Sequence, residues 1–263
     1  MYYLGNSLFA TQAYLETRIM TAATPNQKTQ IKEIKEMAIA LAVQDFPPSI
    51  ITEEFVRENN IVDSDWKIAQ TPFVHHDRSQ LAFDSGVTIL AQKNGVAFIE
   101  RIKNDNARLQ VEAVANRCVT QLTGVEYQGI KLETKRLIPI PNNDAARSYL
   151  TEFLVASGAW QNYGQAPVKT GINFMYDLGR CKLNMAISEA LIKQESKEDV
   201  WSQDMGGLLF SGTFKYPAFS SEKITQAKQV IANSQKDWEE FNRIVDRIFL
   251  NQENGILQRF LFK

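Results

Sequence analysis

The sequence predicts an α+β protein of largely antiparallel sheets built from hairpins and packed by helices. Three observations carry that expectation. Apolar residues alternate along Met37, Ile39, Leu41 and Val43, the period-2 pattern of a strand. Two segments carry apolar stripes at three- and four-residue steps, Val111–Leu122 and Ile224–Ile248. Hairpin signals sit at Asn94-Gly95 and at Asp177–Arg180, each between strand-like runs.

Taken in order, the first 35 residues leave helix, hairpin and exchanged arm open. The strand from Met37 is closed by Phe46-Pro47-Pro48, since proline disfavours helix in the residue before it. Thr52–Arg57 predicts a short helix with Glu53 and Glu54 at its positive end. Asn94-Gly95 suits a type I′ turn, which sets Leu90 opposite Ile99 and Ala91 opposite Phe98. Residues 107–122 follow as a helix with Gly124 at its C′ position, then a strand from Tyr127 to Ile138 closed by Pro139 and Pro141. A helix from Asn142 or Asn143 buries Leu150, Phe153 and Leu154, and residues 159–166 make a loop. Val168–Tyr176 and Cys181–Ile192 form a second hairpin, and Gly207–Tyr216 a further strand in which Gly212 suggests a bulge or twist. In the last helical stretch Ser234–Asp237 resembles a capping box, so a break is expected at Asn233. The order of elements suggests two similar α+β halves, 1–158 and 159–263.

Composition narrows the function classes. The 263 residues are 44% hydrophobic and 22% charged, an ordinary globular mix. The net charge of −1 disfavours sequence-independent nucleic-acid binding, and Lys131, Lys135 and Arg136 are the one local basic group, read as a solvated strand face. No apolar run reaches the length of a bilayer span, and the N-terminus lacks the pattern of a secretory signal. Cys118 and Cys181 are too few and too far apart for a disulfide framework, which suits a reducing compartment such as the cytoplasm.

Motifs for chemistry are scarce. His75 and His76 are the only histidines, and neighbours on an extended segment point to opposite faces, so no metal site is expected. Phosphate-binding glycine loops and hydrolase elbows are absent, so no cofactor is expected. One catalytic pattern exists. Glu133 and Lys135, two apart on a strand, share a face, as in a Mg²⁺-dependent nuclease whose carboxylate holds the ion and whose ammonium steadies the attacked phosphate. It needs an acidic partner, with Glu100 and Asp105 as candidates, and a salt-bridged sheet face is the simpler explanation of the pair.

The stretch Ala38–Pro48 with Phe55 and Trp66, then Gly86-Val87, Ala91-Gln92, Phe98, Leu132 and Arg136–Ile138, resembles a family of uncharacterised bacterial proteins of about 250 residues. The resemblance covers the middle third of the chain, implies an α+β fold and a bacterial source, and brings no site residue.

The expected function is therefore non-catalytic: an intracellular protein acting through a protein partner or self-association, as a subunit of a larger assembly. The apolar tail residues Ile256, Leu257, Phe260, Leu261 and Phe262 are the expected partner-binding residues, with the final helix as a second contact. The alternatives are the Glu133/Lys135 nuclease and a phage-type structural component.

Overall fold

The computed structural model describes residues 33–104, 108–122, 124–140, 143–165, 167–192, 205–217 and 223–250. In chain order these form β1 (Ile34–Gln44), α1 (Glu53–Glu58), β2 (Phe73–Val74), β3 (Arg78–Ala82), β4 (Val87–Gln92), β5 (Gly95–Ile102), α2 (Gln110–Gln121), β6 (Glu126–Ile140), α3 (Asn143–Ser148), β7 (Gly171–Asp177), β8 (Lys182–Ile192), β9 (Met205–Lys215), α4 (Lys223–Ala232) and α5 (Ser234–Ile244). The strands make a single antiparallel sheet in the order β2-β3-β4-β5-β1-β6-β9-β8-β7, and the protein is α+β.

Alternation decides which side of the sheet is covered. On β1, Met37, Ile39, Leu41 and Val43 are buried in the main core, and each of the five helices adds buried residues to that same cluster. Ala38, Ala40 and Ala42 point the other way. There, Ala40, Leu90 and Ala97 form a separate small cluster with Ile99 against it. The central pair β1–β6 runs from Ile34↔Leu137 to Gln44↔Glu126, with the register shifting between Ala42 and Val43. Gln128 is the extra residue, and the shift brings Tyr127 round to the core face, where its hydroxyl donates to the Leu122 carbonyl at 3.0 Å.

Element order repeats. β1, α1, the meander β3-β4-β5 and α2 are followed by β6, α3, the meander β7-β8-β9 and α4, and the two sets lie outward in opposite directions from the β1–β6 pair. The second set starts at β6, so a division at residue 158 falls inside it, and β6 pairs with β9 across that point from Lys131↔Lys215 to Ile140↔Gly206.

Several local expectations change. The β4–β5 turn is one residue earlier than Asn94-Gly95 implies: Gln92 pairs with Gly95, Leu90 with Ala97 and Ile89 with Phe98. Asn94 has no positive φ, so the turn is not type I′. Its carbonyls serve β1 instead, Val43 N–H donating to Asn94 O at 3.0 Å and Phe46 N–H to Lys93 O at 2.9 Å. Gly95 carries the positive φ, 151°. β6 runs on through Pro139, because β1 stops pairing at Leu137 and the missing N–H has no ladder to break on that side. No register shift occurs at Gly212; a Cβ there would lie 2.8 Å from the Phe241 ring, so the glycine marks a close helix approach. β2 and β3 lie in residues 73–82, where no element was predicted. Of the predicted third helix, Leu150 is buried but Phe153 is exposed, Tyr149 taking its place in the core. The break at Asn233 is present, separating α4 from α5.

A Cβ on Gly95 would meet the Leu41 carbonyl oxygen at 2.0 Å, a backbone atom that cannot turn aside. Gly95→Ala is expected to cost about 2 kcal/mol in urea unfolding. A loss within a few tenths of a kcal/mol would show that β1 and β5 separate there without strain.

Candidate functional site

The predicted catalytic pair does share a face, the one away from the helices. Each member is already engaged: Glu133 pairs with Lys131, and Lys135 Nζ lies 3.2 Å from Glu36 Oε1 on β1. Lys131, Lys215 and Lys182 stand opposite one another across β6, β9 and β8, so Glu133 offsets a row of like charge. Glu100 is not its acidic partner. It sits on the opposite face, 6% exposed, and Asp105 lies outside the described residues. Arg136 likewise leaves the presumed basic group: it points into the core side, pairing with Glu33 and with Asp246 at 2.6 Å.

Glu100 has a structural task. α2 begins at Leu109 with no side-chain cap of its own, and the Glu100 carboxylate reaches over from β5 to accept the N–H groups of Val111, at 2.8 Å, and Gln110. Burial pushes its carboxyl above the ordinary glutamate range, and the two N–H groups oppose that rise. The folded state therefore holds the Glu100 proton more tightly than the unfolded chain does. Stability from this group is complete below the ordinary glutamate value and declines as pH rises through the raised one. Glu100→Gln keeps an acceptor oxygen and removes the charge, so its stability should gain on the wild type between about pH 4 and pH 7. Urea unfolding of both proteins at the two ends of that window checks this; a constant difference would show that burial leaves the carboxylate unpenalised.

Asp237 is the second buried carboxylate, and it is not the end of a capping box. Its side chain is fully buried and accepts from Arg180 Nη2, from Arg180 Nε at 3.1 Å, and from the Tyr216 hydroxyl at 2.5 Å. The β7–β8 turn, the end of β9 and the start of α5 are joined through one group. Ser234 Oγ, buried beside it, makes no hydrogen bond among the described residues. Burial raises the Asp237 carboxyl, while Tyr216 and Arg180 pull it down. Asp237→Ala should cost about 3 kcal/mol, the low end for a broken buried pair because Arg180 keeps some access to water. Thermal unfolding would contradict this if the midpoint stayed within a degree or two of the wild type.

Neither thiol is activated. Burial pushes Cys118 up to about 12 and also raises Cys181. At the β2–β3 tip, His75 Nδ1 lies 2.7 Å from Asp77 Oδ1, and this hydrogen bond lowers the exposed Asp77 carboxyl. The apolar stripe of the last helices is used inside the chain: Ala227, Ile231, Trp238, Phe241 and Val245 lie in the core. The tail residues Ile256, Leu257, Phe260, Leu261 and Phe262 lie outside the described residues.

Main-chain groups are also left unpaired among the described residues. β7 ends the sheet and, among the described residues, pairs on one side only, with β8 from Gly171↔Ser188 to Asp177↔Lys182. Its burial alternates. Ile172, Phe174 and Tyr176 are half-buried at the rim of the core, while Gly171, Asn173, Met175 and Asp177 are exposed, Met175 at 68%. Seven residues without proline or lysine leave a regular row of N–H and C=O groups facing outward. The opposite edge is β2, two residues long and preceded by Pro72. Sequence reasoning found the β7 strand but not its edge position, because strand order depends on pairings between residues far apart in the chain.

No protein-family model and no curated protein matches this chain. Among the described residues, no helix is long and apolar enough to cross a membrane.

Proposed function

We propose that the protein acts by binding another protein, as a non-catalytic subunit of a larger assembly in a bacterial cytoplasm. The β7 edge is the observation that carries this. An added strand would continue the ladder beyond β7, its main chain supplying hydrogen bonds and its side chains covering Phe174 and Met175. The described chain ends at Leu250, next to Phe249, whose ring lies 5.2 Å from that of Phe174. The apolar residues Ile256, Leu257, Phe260, Leu261 and Phe262 follow Leu250 in sequence, and they are assigned to the same contact. The buried carboxylates support this reading from the other side, since Glu100 and Asp237 are spent on fastening helices.

The test is affinity purification of the full chain from its native lysate after nuclease treatment, beside Met175→Lys and a truncation ending at Gln252. Met175 is exposed, so the lysine leaves folding intact and charges the edge. The wild type should retain a stoichiometric protein, and Met175→Lys should lose it at an unchanged melting temperature. Elution of the wild type alone at monomer mass would end the assembly reading. Retention by both variants would move the contact away from β7 and the tail.

A further inference from the structure

The chain's two histidines meet at one turn. His75 N–H donates to the Arg78 carbonyl at 2.8 Å, closing the β2–β3 hairpin with His76 and Asp77 at its centre. A hairpin tip is not an extended strand, so the opposite-faces argument from the sequence does not apply. The two imidazole rings lie side by side, centroids 4.1 Å apart. One ligand atom from each of His75, His76 and Asp77 lies within 4.8 Å of the others, and no other group of three His, Cys, Asp or Glu does so among the described residues.

We propose that His75, His76 and Asp77 form a binding site for a divalent transition-metal ion of the zinc class. Two imidazole nitrogens and one carboxylate oxygen make a borderline donor set, which favours zinc and its neighbours over calcium or magnesium, whose ligands are oxygens. His75 Nδ1 and Asp77 Oδ1 already face each other at 2.7 Å, so an ion between them would displace the shared proton and take both as ligands. Tetrahedral coordination at about 2.1 Å from each donor needs donors about 3.4 Å apart. The observed spread closes to that by side-chain rotation, and all three residues are exposed, so packing does not oppose it. The neighbouring cation is turned away: Arg78 lies over the Phe73 ring at 5.9 Å and donates to Gln80 at 2.9 Å. Three protein ligands on an exposed tip leave at least one position to water or to a ligand from a partner.

Having only two histidines makes the test direct. The full chain, purified without a histidine tag, is titrated with Zn²⁺ while the histidine ring protons are followed by NMR. Both ring systems should change together and saturate at one equivalent, with Ca²⁺ producing no change. His76→Ala and Asp77→Asn should each weaken binding about tenfold or more, with unchanged melting temperatures. Silent ring signals, drift without saturation over several equivalents, an equal response to Ca²⁺, or undiminished His75 shifts in His76→Ala would each overturn the site.

Discussion

The pairing of β1 with β6 is the constraint on which the rest of the sheet depends. These two antiparallel strands are its centre, and each organises a three-stranded meander on its outer side, β5-β4-β3 beside β1 and β9-β8-β7 beside β6. With the helices of the described residues gathered on one face, each strand turns its larger apolar side chains mainly there. β1 does this with Met37, Ile39, Leu41 and Val43 against three alanines. β6 turns Leu132, Thr134 and an ion-paired Arg136 to that side, against Lys131, Glu133 and Lys135. The bulge at Gln128 keeps Tyr127 on the core side after the register shifts, so the face assignment survives to the end of the strand.

Buried charge serves this same arrangement. Glu100 holds the start of α2 to β5, Arg136 joins β6 to Glu33 and to Asp246 just beyond α5, and Asp237 ties the start of α5 to the β7–β8 turn and to Tyr216. Each sits between the sheet and the layer above it, where an unpaired charge would be costly and a paired one fixes where a helix lands. Groups that in isolation look like catalytic candidates are thus consumed by architecture. The same holds on the face away from the helices, where Glu133 and Lys135 neutralise their neighbours.

Patterns within one element were legible in the sequence; relations between elements were not. The β1 alternation, the α2 stripe and the break at Asn233 each follow from residues a few positions apart. Asn94-Gly95 misled because the turn is shaped by Val43 at the end of β1 and Phe46 just beyond it, which bond to its carbonyls. β3 was missed because only Ser79 and Leu81 face the core, too short an alternation to stand out. Asp237 read as a capping residue because its partners, Arg180 and Tyr216, are brought to it by the fold. Glu133 and Lys135 were rightly placed on one face, yet what decides their role is Glu36 and Lys131, and Glu36 is 99 residues from Lys135 in the chain.

The two edges of the sheet are finished in different ways, and that difference links the functional readings. A terminal strand exposes unpaired main-chain groups, and a chain that remains monomeric must blunt them. On one side the sheet narrows to the two residues of β2 and turns back at a tip crowded with His75, His76, Asp77 and Arg78, which offers little ladder to a passing strand. On the other, β7 is regular, nearly uncharged and backed by rings at the rim of the core. Were both edges meant for solvent, the blunting device of β2 would be expected at β7 as well. Its absence there, among the described residues, is the physical reason for which recognition is proposed at the β7 edge.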